Sequence, residues 1–259
     1  MRLARFIYKK QIKWGVIDKD YIRPLKDPPF DKIKPLKKKI FLSQVKLLAP
    51  AEPSKIILVG LNYKDHAREL KMKLPAEPVI FLKPPTALIG PGETIIYPKG
   101  VKRLDFEAEL ALVIKKIARN IALQKASEYI LGYTCLNDVT ARDLQKKDIQ
   151  WSRAKSFDTF SPLGPWLETG IDPGHLEIKS FLNNRLKQHS NTRNFIFSAP
   201  EIVSYVSRVM TLLPGDVIST GTPAGVGPML VGDMIEIDIE GIGVLRNTVD
   251  LSLEKTYNR

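Results

Sequence analysis

Short apolar, β-branched runs separated by Gly and Pro recur along the chain, and this pattern predicts strands joined by turns. Strands are expected over 55–59, 79–82, 94–97, 110–115, 132–136, 216–220, 234–239 and 243–249. Helices are expected over 124–129 and 200–208, and the polar stretch 62–70 is helix-compatible and short enough to move. Helices are few and do not alternate with the strands, so the pattern is mainly β with some α rather than doubly wound α/β. Pro24, Pro28, Pro29 and Pro35 punctuate an N-terminal section of short strands and turns. Ala49-Pro50-Ala51-Glu52-Pro53 reads as a linker, dividing the chain into a small unit, 1–50, and a main body, 51–259.

Within this pattern, Leu104-Asp105-Phe106-Glu107-Ala108-Glu109-Leu110-Ala111-Leu112 sends acids into an apolar strand. Side chains alternate along a strand, so Asp105, Glu107 and Glu109 share one face while Phe106, Leu110 and Leu112 share the other. Neighbouring carboxylates that lose hydration repel each other, and a hard divalent cation with oxygen ligands relieves both costs. The alternative is a polar strand end whose acids meet Lys or Arg.

Other residues offer matching chemistry. Asp138 follows the 132–136 strand, as a helix N-cap or as a third oxygen ligand. Lys155 lies in a mixed segment without periodicity; beside a developing oxyanion it would add positive charge. His66 and Glu69 stand three apart on the polar helix, as a solvated pair or as an imidazole oriented to act as a general base. Gly221-Thr222-Pro223-Ala224-Gly225-Val226-Gly227 has neither dinucleotide-binding nor P-loop spacing. It can present backbone N–H groups and the Thr222 hydroxyl to a carboxylate, or be a tight turn.

Charge changes this picture little. The formal net charge is +12, but residues 1–50 hold 14 Lys+Arg against 4 Asp+Glu, so the excess sits at the N-terminal end. Aromatics do not interleave with these basic residues, and no specific nucleic-acid function is expected. A non-catalytic, polyanion-binding protein is the distant alternative. The lone Cys135 excludes an intrachain disulfide and is expected to be a buried structural thiol. No apolar run approaches ~18 residues and no signal-peptide h-region follows the N-terminal charges, so a cytoplasmic, non-membrane protein is expected.

Together these segments resemble the fumarylacetoacetate hydrolase (FAH) family. The resemblance runs through Gly60-Leu61-Asn62-Tyr63-Lys64-Asp65-His66-Ala67-Arg68-Glu69, Phe81-Leu82-Lys83-Pro84 and Asp105-Phe106-Glu107-Ala108-Glu109. It continues through Asn137-Asp138-Val139-Thr140-Ala141-Arg142-Asp143, Lys155-Ser156-Phe157-Asp158, Pro214-Gly215-Asp216 and the 221–227 glycine loop. It implies a mixed β-roll or β-sandwich-like catalytic domain with a small N-terminal domain, usually a homodimer. It implies Glu107, Glu109 and Asp138 as Mg²⁺ or Mn²⁺ ligands and Lys155 as the group that stabilises an enolate-like intermediate. It further implies a His66–Glu69 dyad on a lid-like helix, with Arg142, Gln145 and Thr222 contacting a 2-oxo acid substrate. The implied reactions are hydrolysis of a β-diketo acid, oxaloacetate-type decarboxylation, hydroxydienedioate isomerisation and dehydration of a 2-keto-3-deoxy sugar acid. An intact dyad favours hydrolysis among them.

Overall fold

The computed structural model describes residues 1–251. The fold has a twelve-stranded sheet packed against a five-stranded sheet, and a separate three-stranded sheet. At the centre of the large sheet, Ala108–Ile114 lies antiparallel to Ile130–Asn137 on one side and to Val217–Ser219 on the other. Ala108–Ile114 is buried at every position, which accounts for its apolar composition apart from Glu109.

One face of this centre packs on the five-stranded sheet through Leu110, Leu112, Cys135 and Ile218 against Ile178, Ile237, Ile239 and Leu245. The helix Ala199–Val209 closes the same core with Ile202, Val203 and Val206. Its start is fixed by a capping box between Ser198 and Glu201. The opposite face, with Leu58, Val113, Leu136 and Val217, is covered by Leu25, Ala49 and Ala51 and by the part-buried Trp14 and Phe30.

The N-terminal strands extend the large sheet. Arg2–Tyr8 pairs with Ser161–Glu168 at Arg2↔Glu168 and Leu3↔Leu167. The expected linker is packed, with Ala49 and Ala51 buried. Next to it, Asp216 accepts from the Ser54 and Lys55 backbone N–H groups at 3.0 and 3.2 Å and from Lys55 Nζ at 2.5 Å.

Several elements differ from expectation. The acid-bearing strand is two strands, Leu104–Phe106 and Ala108–Ile114, in different sheets, and Glu107 sits at the break. The polar helix spans Lys64–Glu69, and 124–129 is a 3₁₀ helix, Leu123–Tyr129. Ser161–Glu168, Glu177–Leu182 and Arg185–Asn191 are strands the apolar pattern missed. The last of these is mostly polar and exposed, so hydrophobic alternation gives it no signal. Among the described residues no helix is long and apolar enough to cross a membrane.

Candidate active site

The pairing of two central strands builds the acidic cluster. Glu109 lies opposite Leu136, two residues before Asp138, and the Glu107 carbonyl accepts from the Asp138 N–H at 2.9 Å. The Asn137 side chain adds a contact, its Oδ1 accepting from the Glu107 N–H at 3.0 Å. These bonds bring carboxylate oxygens of Glu107, Glu109 and Asp138 within 4.8 Å of one another, all three residues buried. The N-cap alternative for Asp138 is not realised, because Ala141 precedes the helix Arg142–Lys147.

Cations and acids interleave around the cluster. Lys155, on the short helix Ser152–Lys155, donates to Glu107 Oε2 at 2.9 Å and to Asp138 Oδ2 at 2.5 Å. Lys83, buried at the end of the strand Ile80–Lys83, donates to Asp138 Oδ1 at 2.6 Å and to the Phe160 carbonyl at 2.5 Å. Arg142 donates to Asp105 at 2.8 Å, to Glu107, and to Gln145 Oε1 at 2.5 Å. The alternative in which acids meet Lys or Arg therefore holds for Glu107 and Asp138.

Glu109 differs. Its Oε2 accepts from Ser219 Oγ at 2.5 Å and from the Gly221 N–H at 3.0 Å, and no cation among the described residues pairs with it. Burial, then the neighbouring Asp138 and Glu107 charges, push its carboxyl well above the usual carboxylate range. Burial acts on Glu107 in the same direction, but Lys155 and Arg142 overcome it and hold that carboxyl at about 2. Burial lowers the Lys83 ammonium, with Asp138 opposing, whereas for Lys155 the two carboxylates outweigh burial and raise it.

This donor set fits a hard divalent cation. All three potential ligands are carboxylate oxygens, and one of them lacks a compensating charge. Gly221 supports the site by its backbone: φ is +90°, and a Cβ there would lie 2.9 Å from the Asn62 Cβ.

The cluster opens on a cavity of about 370 Å³ lined by His66, Glu107, Asp138, Arg142, Gln145, Lys155 and Thr222. Glu109 lies behind it, and Glu69 holds His66, its Oε2 lying 2.9 Å from His66 Nδ1. Every site residue expected from the sequence thus lies in or next to one constellation. The helix Lys64–Glu69 is docked over it: Asp65 accepts from Ser190 Oγ, and Glu69 Oε1 accepts from the Gly225 N–H at 3.1 Å.

Sequence reasoning assigned no role to Lys83, Ser219 or Gln188. Lys83 carried one signal, its place in the Phe81-Leu82-Lys83-Pro84 segment of the family resemblance. Gln188 carried none. Its Oε1 accepts from the Ala108 N–H at 3.0 Å, between the two glutamates, and its Nε2 donates to Thr222 Oγ1 at 2.8 Å.

Comparison with known proteins agrees with this geometry. Residues 55–250 match the fumarylacetoacetate (FAA) hydrolase C-terminal family, and residues 1–50 match a family described as Rv2993c-like, N-terminal. The chain is similar to the 5-carboxymethyl-2-hydroxymuconate delta-isomerase of Mycobacterium smegmatis, with 43% identity, TM-score 0.92 and coverage of 97% of this chain and 100% of that one. It is similar to the maleylpyruvate hydrolase of Sphingobium sp. SYK-6, solved with manganese(II) and pyruvate, with 32% identity, TM-score 0.82 and coverage of 98% and 100%. It is also 42% identical to the rat mitochondrial oxaloacetate tautomerase Fahd2a, over 80% of this chain and 70% of that protein. With its fold, its acidic cluster and these relatives in agreement, the chain belongs to the fumarylacetoacetate hydrolase family of enzymes.

Proposed function

We propose that this chain is a divalent-metal-dependent enzyme that acts on a 2-oxo acid through an enolate-like intermediate. The reaction we assign is hydrolysis of a C–C bond in a β-diketo acid of the acylpyruvate or fumarylacetoacetate type. The observation that carries this reading is the convergence of three carboxylates, Lys155 and the His66–Glu69 dyad on one cavity. The manganese(II) and pyruvate in the maleylpyruvate hydrolase relative support the choice of ion and substrate head.

Glu107, Glu109 and Asp138 would hold Mg²⁺ or Mn²⁺, which supplies a Lewis acid toward a keto oxygen. Lys155 places a fixed positive charge beside the same position and stabilises negative charge that develops there. His66, with Glu69 on its Nδ1 side, takes a proton from water as that water attacks the second carbonyl. Arg142, Gln145 and Thr222 are polar contacts available to the substrate carboxylate. The docked helix Lys64–Glu69 limits the access of bulk water.

A second reading is proton transfer without hydrolysis. One observation favours it: the isomerase and tautomerase relatives are 43% and 42% identical, against 32% for the hydrolase. We further assign residues 1–50 and 51–259 to separate domains, and the protein to a cytoplasmic homodimer.

An ultraviolet assay separates the reactions. The purified protein with Mg²⁺ or Mn²⁺ is offered acylpyruvates, enol-oxaloacetate and hydroxydienedioates, with EDTA controls and product analysis. Hydrolysis predicts pyruvate and a carboxylic acid from an acylpyruvate. Turnover confined to enol or diene substrates, with no new carboxylic acid, would transfer the assignment to isomerisation.

A further inference from the structure

We infer that the apolar part of the cavity lining is a receptor for an uncharged hydrocarbon tail, so that the 2-oxo acid carries an alkyl, acyl or aryl group rather than a second carboxylate. This rests on the proposed function for the position of the substrate head. Beside its polar groups the cavity has an apolar lining, formed by Val59, Leu61, Leu70, Met72, Phe81 and Trp151. The Trp151 and Phe81 rings meet edge to face, with centroids 5.3 Å apart at 80°. The Phe81 ring in turn lies 5.2 Å from Lys155 Nζ. A continuous aromatic wall therefore runs outward from the ammonium that contacts Glu107 and Asp138.

Gly60 lets this wall close down. A Cβ at position 60 would lie 3.3 Å from Trp151 Cζ3, so the indole rests directly against the backbone that follows the strand Ile56–Val59. On the opposite side, Leu70 and Met72 follow the helix that carries His66, and both are about half exposed. Apolar side chains left in water beside a pocket gain most when a ligand covers them.

The cations nearby do not serve a distal carboxylate well. Arg142, tied to Asp105, Glu107 and Gln145, and Lys155, tied to Glu107 and Asp138, stand beside the acidic cluster and are assigned to the 2-oxo acid head. The remaining lining cation, Lys146, is exposed at the rim and solvated. Burial of hydrocarbon against the wall is expected to strengthen binding about fourfold per added methylene, the value of one buried CH₂. Trp151 is then a specificity-determining residue.

The test is calorimetric and needs no turnover. The full-length protein with Mn²⁺ is titrated with 2-oxobutanoate, 2-oxohexanoate and 2-oxooctanoate, and with the dicarboxylates 2-oxoglutarate and 2-oxoadipate. The expected result is a Kd that falls along the alkyl series and is weaker for the dicarboxylates. Trp151→Ala and Met72→Ser should flatten the series while leaving 2-oxobutanoate nearly unchanged, and Trp151→Phe should restore part of the slope. Trp151 also begins the helix that bears Lys155, so a purely structural role would weaken every ligand equally and would overturn the inference. Tighter binding of the dicarboxylates, abolished by Lys146→Ala, would overturn it too. If no 2-oxo acid binds in the presence of Mn²⁺, the inference and the proposed function both fail. A steep alkyl series without acylpyruvate hydrolysis would uphold the receptor and remove only the reaction.

Discussion

Glu69 joins His66 to the glycine loop: one carboxylate oxygen lies 2.9 Å from His66 Nδ1, and the other accepts from the Gly225 N–H at 3.1 Å. The imidazole is oriented by a side chain that is itself fixed from across the cavity. Replacing His66 with Ala should lower kcat by about 10²–10⁴-fold, the usual contribution of a positioned base. Metal content, read by mass spectrometry, should not change. Glu69→Gln preserves a hydrogen-bonding group without the charge, so its loss should be smaller.

Removal of a cluster acid should act differently. Glu109→Ala and Asp138→Ala are each expected to abolish metal binding and activity together. They separate on stability. Asp138 is the only acid paired with the buried Lys83 among the described residues, and an orphaned buried charge costs about 3–5 kcal/mol. Thermal unfolding without metal should therefore show a large loss for Asp138→Ala. Glu109→Ala removes a carboxyl that burial already disfavours in its charged form, so its loss should be much smaller.

Gln188 ties the strand carrying both glutamates to the loop carrying Thr222. Gln188→Ala would leave the buried Ala108 N–H without an acceptor, at about 1–3 kcal/mol for the group. The variant should unfold at a lower temperature than the parent and should also raise KM, because Thr222 loses the donor that holds its hydroxyl. A lowered melting temperature with unchanged KM would confine Gln188 to a structural role.

Cys135 should be silent in the native protein. Burial, then the Asp238 charge, pushes its thiol above the ordinary value of 9.0, and its Sγ donates to the Gly243 carbonyl at 3.3 Å. A thiol-specific reagent should react only after denaturation. The sign of the linkage follows from the raised value. Above about pH 9 the unfolded thiol ionises while the native one keeps its proton, so this group lowers stability by up to about 1.4 kcal/mol per further pH unit. Cys135→Ala should remove that part of the alkaline slope in a denaturant titration.

Much of this arrangement was legible in the residues. The apolar run after Glu109 gave a central strand, and the spacing of Glu107 and Glu109 gave the acid pair. The site residues were placed largely by collinear motifs, because nothing local to Asp138, Lys155 or Thr222 says that they meet. Alternation failed at Glu107, where the chain leaves one sheet for another. It failed again at Arg185–Asn191, whose one fully buried polar residue, Gln188, takes its meaning from Ala108 and Thr222, far away in sequence. Trp151 likewise gains a role only through Phe81 and Gly60. Side chains that work through distant partners leave no periodic trace.

The central claim is that the acidic cluster holds the ion on which turnover depends. Its most direct test is to strip the protein with EDTA, titrate Mn²⁺ back, and follow bound metal and acylpyruvate loss in the same samples. The account predicts activity that rises in proportion to bound metal and saturates near about one ion per chain, with neither signal in Asp138→Ala. Full turnover by stripped protein, or metal binding that persists in Asp138→Ala, would contradict it.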